Sequence, residues 1–140
     1  MNGFETKRLA EKAEEVAPDG ADVRVLLQLG SGNMAHFQLA AGTTSNPVAH
    51  RTVEEVWYFL EGRGEMWRKL GDQEEVVEVE PGVCITIPVG THFQWRSFEG
   101  EPLSAVGVAM PPWPGEDEAY GVEGYKRWEA GASNIEDARV

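Results

Sequence analysis

Apolar positions change their period along this chain. From Thr6 to Val16, Leu9, Ala10, Ala13 and Val16 recur at helical spacing among Lys, Arg and Glu residues, which predicts one short amphipathic helix. Pro18-Asp-Gly20 is its stop signal. From Ala21 the repeat shortens. Val23 to Leu29 and Met34 to Ala40 read as strands joined by the turn cluster Gly30-Ser-Gly32-Asn, a hairpin pattern. Strand-like runs follow at Val56 to Leu60, Glu65 to Leu70, Glu74 to Val79, Val83 to Ile87, Phe93 to Phe98 and Leu103 to Met110, with glycine- and proline-bearing turns between them. Many short strands at near-regular spacing predict an all-β sandwich or barrel.

After Met110 the pattern breaks. Pro111-Pro-Trp-Pro114 lacks amide hydrogens at its prolines and cannot enter a sheet interior. Residues 111–140 are expected to form an irregular tail. Its Tyr120, Tyr125 and Trp128 anchor it to the barrel or to a second subunit, and its last ten residues are loose. The expected organisation is a single domain over residues 1–140, with a helix and strand over 4–33 and the strand-rich core over about 34–110.

Composition narrows the class. A domain of 140 residues buries on the order of 70% of the surface its unfolded chain exposes, enough for a core without staples. The single Cys84 excludes an internal disulfide framework. It lies in Val83-Cys-Ile-Thr-Ile87, where a small buried hydrophobe is expected rather than a reactive thiolate. The net charge of −12, from 12 basic and 24 acidic residues, speaks against a nucleic-acid partner, which demands clustered Lys and Arg. No run approaches the ~18 apolar residues of a membrane span, and the start lacks a secretory signal's apolar stretch. A cytoplasmic protein without a membrane partner is the expectation.

Two stretches carry the chemistry. They are Gly42-Thr-Thr-Ser-Asn-Pro-Val48-Ala-His50-Arg-Thr-Val-Glu-Glu55 continuing to Gly62, and Gly82-Val-Cys-Ile-Thr-Ile-Pro88-Val-Gly90-Thr-His-Phe93. Together they resemble the two signature motifs of the cupin family. In those motifs glycines and a proline frame a histidine pair and a glutamate in the first, and a histidine and an asparagine in the second. Gly42, Gly62, Gly82, Pro88 and Gly90 fall in step, as do His50 and Glu55. Val48 stands at the first histidine position, Phe93 at the last, and Ser97 at the closing asparagine. The resemblance implies a double-stranded β-helix or jelly-roll barrel with a small-molecule pocket, often a divalent metal, and frequently a homodimer. The apolar outer strand positions and the Pro/Trp-rich stretch after Met110 also point to a dimer.

Side chains alternate across a strand, so Glu55, Trp57 and Phe59 share one face. A carboxylate inside an aromatic barrel is costly without a partner, which makes His50 and Glu55 candidate partners and candidate catalytic residues. Gln38, Val48, Trp57, Phe59, Phe93 and Trp95 are the expected pocket lining. His36 shares its strand face with Gln38 and faces either the cavity or solvent. His92 comes one residue before the ligand position, and a slip of one residue turns a side chain to the opposite face. A bulge re-aiming His92 would complete a metal set of His50, Glu55 and His92 for Fe, Mn, Zn or Ni. In the ungapped register His92, Gln94 and Arg96 face outward, and metal is substoichiometric or absent. Two readings stay open: a small-molecule-binding cupin with an aromatic pocket, and a metal-dependent dioxygenase, isomerase or epimerase.

Overall fold

A computed structural model describes residues 3–128. Eleven strands form two antiparallel sheets: β1 (Glu15–Val16), β2 (Asp22–Leu29), β3 (Gly32–Leu39), β4 (Val48–His50), β5 (Glu54–Glu61), β6 (Gly64–Leu70), β7 (Gln73–Val79), β8 (Cys84–Ile87), β9 (His92–Ser97), β10 (Leu103–Met110) and β11 (Ala119–Gly121). One sheet runs β1-β2-β3-β10-β5-β8 and the other β11-β4-β9-β6-β7. The inner faces meet in a core that includes Trp57, Phe59, Met66, Ile87, Phe93, Trp95 and Leu103. Alternation is strict in β5, where Glu55, Trp57 and Phe59 are buried and Val56, Tyr58 and Leu60 exposed.

The predicted helix does not form; no helix occurs among the described residues. The segment instead lies along the edge of β2. Glu15 pairs with Val23 and Val16 with Asp22. Arg24 donates hydrogen bonds to the Ala10 and Glu11 carbonyls, and the Val25 amide donates to the Glu14 carboxylate. An isolated helix of this length is marginal in water, and its apolar stripe would have nothing to bury against. Leu9 and Val16 remain exposed. The open sheet edge offers backbone partners that the helix cannot match.

Cys84 also departs from expectation. It is exposed, because in β8 only Ile85 and Ile87 turn inward. Gln94 and Arg96 do point away from the core of the barrel, yet both are buried. The C-terminal segment covers them. Gln94 donates to the Ser45 carbonyl and accepts from the Tyr125 amide. Arg96 binds Glu65 at 2.7 Å and lies over the Trp128 ring. Tyr125 packs on Trp128 with ring centroids 5.2 Å apart, so the tail is anchored by its aromatics. It also contributes β11, paired with β4. The expectation of a loose end over the last ten residues lies outside the described residues.

Candidate ligand-binding site

The turn before β5 aims Glu55. Glu118 accepts hydrogen bonds from the Thr52 amide and hydroxyl and from the Val53 amide. Burial pushes the Glu118 carboxyl up, but these bonds outweigh it and hold its pKa below the usual range. With the turn fixed, strand alternation sends Glu55 and Trp57 to the inner face and Glu54 outward.

His50 ends β4 on the same side. Its ring is 5% exposed and stands edge-on to Phe93 at 5.3 Å and to Trp113 at 5.0 Å. Its Nδ1 is buried without a hydrogen-bond partner among the described residues. Burial lowers the pKa of His50 to about 4, with the Glu118 carboxylate pulling weakly the other way, so the imidazole is neutral at pH 7. Glu55 is also 5% exposed. Its Oε1 accepts a 2.8 Å bond from the Trp57 indole. That is the carboxyl group's one hydrogen bond among the described residues, and it leaves Oε2 unpartnered. Burial raises the Glu55 pKa to about 7, against the opposing effect of the Trp57 bond.

His50 and Glu55 line one cavity of about 260 Å³, together with Val48, Trp57 and Phe93 from the expected set. Its wall also includes residues that the strand pattern did not single out: Asp19, Phe37, Gly107 and Trp113. Asp19, 6% exposed, accepts from the Trp95 indole at 2.9 Å and from the Ala21 amide, and burial raises its pKa. In the sequence Asp19 reads as part of a helix stop and Trp113 as part of a proline-rich break. The available signal was Trp95, an inward indole that needs a buried acceptor.

The remaining expected residues lie elsewhere. Phe59 and Trp95 are fully buried in the core cluster and do not line the cavity. Gln38 bonds to Ser104 Oγ on the outer face of the six-stranded sheet. His36 is on that same face, opposite Arg24 and Val106. His92 is half-buried and lines a separate hollow with Trp67, Lys69 and Tyr125. The ungapped register holds, with Phe93 opposite Val48 and His92 opposite Lys69. The set His50, Glu55 and His92 is therefore not assembled, because no bulge in β9 turns His92 inward. Among the described residues no three His, Cys, Asp or Glu side chains converge as a metal site. The donors present do not fit a transition-metal centre, which normally takes three or more protein ligands.

Two antiparallel sheets packed around an inward-facing cavity define a double-stranded β-helix barrel. The chain belongs to the cupin family: residues 35–109 match the sequence model described as Cupin domain. An uncharacterized protein of Methanocaldococcus jannaschii is 30% identical over 107 residues, covering 73% of this chain and 82% of the relative. The fold resembles ectoine synthase from P. lautus, with TM-score 0.66 and 20% identity over 86% of this chain and 91% of that one. It also resembles the capsular polysaccharide assembling protein CapF of Staphylococcus aureus, with TM-score 0.62 and 15% identity over 78% of this chain. The chain spans only 33% of the CapF chain. At these identities the structural likenesses establish the fold alone. No helix among the described residues is long and apolar enough to cross a membrane.

Proposed function

We propose that this cupin binds a small organic molecule in its barrel cavity, with His50 and Glu55 as polar contacts and Val48, Trp57 and Phe93 as walls. The observation that carries this reading is the unpartnered Glu55 Oε2, on a carboxyl 5% exposed in the wall of an aromatic cavity. A carboxyl oxygen that faces an aromatic cavity without a protein donor is poorly satisfied, and a ligand's donor would supply the missing hydrogen bond. Ligand-observed NMR with a fragment library tests the reading. Hits are expected on the wild type and should vanish in Val48→Phe, provided its circular dichroism spectrum is unchanged. A wild type without hits sinks it.

A second reading is favoured by the proton affinities of the two groups. A neutral His50 and a Glu55 titrating near pH 7 suit general acid–base work on a bound substrate. Two protein donors hold a divalent transition metal weakly, so Fe, Mn, Zn or Ni would be substoichiometric. Elemental analysis of protein purified without chelator should find well under one equivalent.

The proposed assembly is a cytoplasmic homodimer. Its support is the outer face of the six-stranded sheet, where Met34, Val56, Tyr58 and Leu60 stand exposed. Contiguous apolar surface of this kind favours an isologous contact. Sedimentation equilibrium returning the monomer mass would contradict it.

A further inference from the structure

We propose that the ligand of this cavity is an organic cation: an ammonium group carried on a small apolar body. The inference deepens the ligand-binding reading above and rests on it. Three acidic residues, the exposed Glu15 and the buried Asp19 and Glu55, line the cavity, and no Lys or Arg lines it among the described residues. The basic side chains of the surrounding strands are engaged elsewhere. Arg24 binds the Ala10 and Glu11 carbonyls, Arg51 the Asp117 carbonyl, Arg68 Glu75, and Arg96 Glu65. Asp19 already accepts two hydrogen bonds, but Glu55 keeps one oxygen open. The wall thus presents a hydrogen-bond acceptor among acidic side chains, with no protein cation to answer them.

The aromatic residues add an independent argument. Phe37 stacks on Trp57 with ring centroids 4.9 Å apart, and Phe93 meets Trp57 edge-on at 6.0 Å. Trp113 closes the side next to His50. Aromatic faces attract cations through the ring quadrupole, most strongly in a desolvated site. Gly107 keeps two of these rings in place. A Cβ there would fall 2.8 Å from both Phe37 Cε2 and Trp57 Cδ1, so any side chain at this position displaces the wall.

Competing ligand classes fit less well. An anion would meet three acidic residues and a neutral imidazole, with no basic side chain in the lining to offset them. A neutral ligand could meet Glu55 only as a hydrogen-bond partner and would gain nothing from the acidic lining. A bare metal ion lacks a converging set of three donors. The volume of about 260 Å³ is below the ~300–1,000 Å³ of drug-sized sites, which restricts the occupant to a small amine.

The test uses three near-isosteric probes on the full chain: benzylammonium, benzyl alcohol and benzoate, titrated at constant ionic strength by tryptophan fluorescence and ligand-observed NMR. Benzylammonium is expected to bind at least about tenfold more tightly than benzyl alcohol, with benzoate weakest. Glu55→Gln, which retains an oxygen for the Trp57 indole, should erase most of that charge preference, bringing the benzylammonium and benzyl alcohol affinities close to each other. Equal or reversed affinities would overturn the charge assignment and leave the cavity reading standing. Failure of all three probes while the fragment library gives cavity hits would do the same. Failure of both removes the two readings together. One equivalent of tightly held Zn²⁺, released by benzylammonium, would overturn the proposal in favour of a metal site.

Discussion

The two glycine-framed segments, residues 42–62 and 82–97, share positive-φ glycine turns and carry different chemistry. Gly42, Gly62, Gly82 and Gly90 all have positive φ, between 70° and 98°, a conformation that glycine adopts at little cost. Gly62 has a second constraint, since a Cβ would collide with the Pro102 carbonyl. Between these turns the first segment places His50 and Glu55 on the cavity wall. The second places Phe93 there and Trp95 in the core behind it, and turns His92 to the outside. Barrel closure depends on where the chain can turn, and ligand chemistry on what projects between the turns. These demands fall on different residues, so the donors can change while the frame persists.

The largest effect expected is on the apolar side of this contrast. If the second segment now acts as packing, Trp95→Ala should lose about 3–5 kcal/mol in urea denaturation, since it removes contacts with Trp57 and Phe59 and the bond to Asp19. A loss under about 1 kcal/mol, the size of a typical surface change, would deny it that role.

Glu55 should behave in the opposite way. Its folded pKa of about 7 lies above the ordinary glutamate value of 4.5, so the folded state binds more protons between those values and wild-type stability falls as pH rises through them. Glu55→Gln removes that penalty. Its stability relative to the wild type should climb by roughly 3 kcal/mol from pH 4 to pH 8. His50, lowered to about 4, contributes a rise with pH up to its unfolded value, and this is common to both proteins. A stability difference independent of pH would contradict the burial argument.

Phe93→His asks whether the second segment can regain a donor. A third ligand beside His50 should raise Zn²⁺ affinity at least about tenfold, or roughly 1.4 kcal/mol, read by competition with a chromogenic chelator. No gain would mean that the wall positions do not converge even with a donor present. The smallest effect is expected at His92. His92→Ala should change stability by no more than about 0.5 kcal/mol and leave metal content unaltered. Loss of bound metal would restore His92 to the cavity.

Much of the frame was legible because it rests on local rules. Period-two alternation placed Glu55 and Trp57 on one face, and glycine punctuation marked the turns that tie the sheets. The same local reading failed from Thr6 to Val16, where spacing alone could not register the open edge of β2. It also misjudged Cys84, since a short apolar run does not reveal which of its faces is covered. Part of the site was visible as His50, Glu55, Val48, Trp57 and Phe93. Asp19, Phe37, Gly107 and Trp113 were not, because they reach the cavity from the N-terminal edge, β3, β10 and the segment after β10.

By itself, then, the sequence determined most of the core strands, the barrel's turns and the shared face of Glu55, Trp57 and Phe59, which follow from backbone geometry over a few residues, while the cupin resemblance implied that this face is the inner one. Only the tertiary structure decided that His92 lines a separate hollow, that the C-terminal segment buries Gln94 and Arg96, and that acidic and aromatic side chains surround one cavity without a basic partner. Those outcomes depend on which distant segments pack together, and burial and its effect on charge exist only once they have done so.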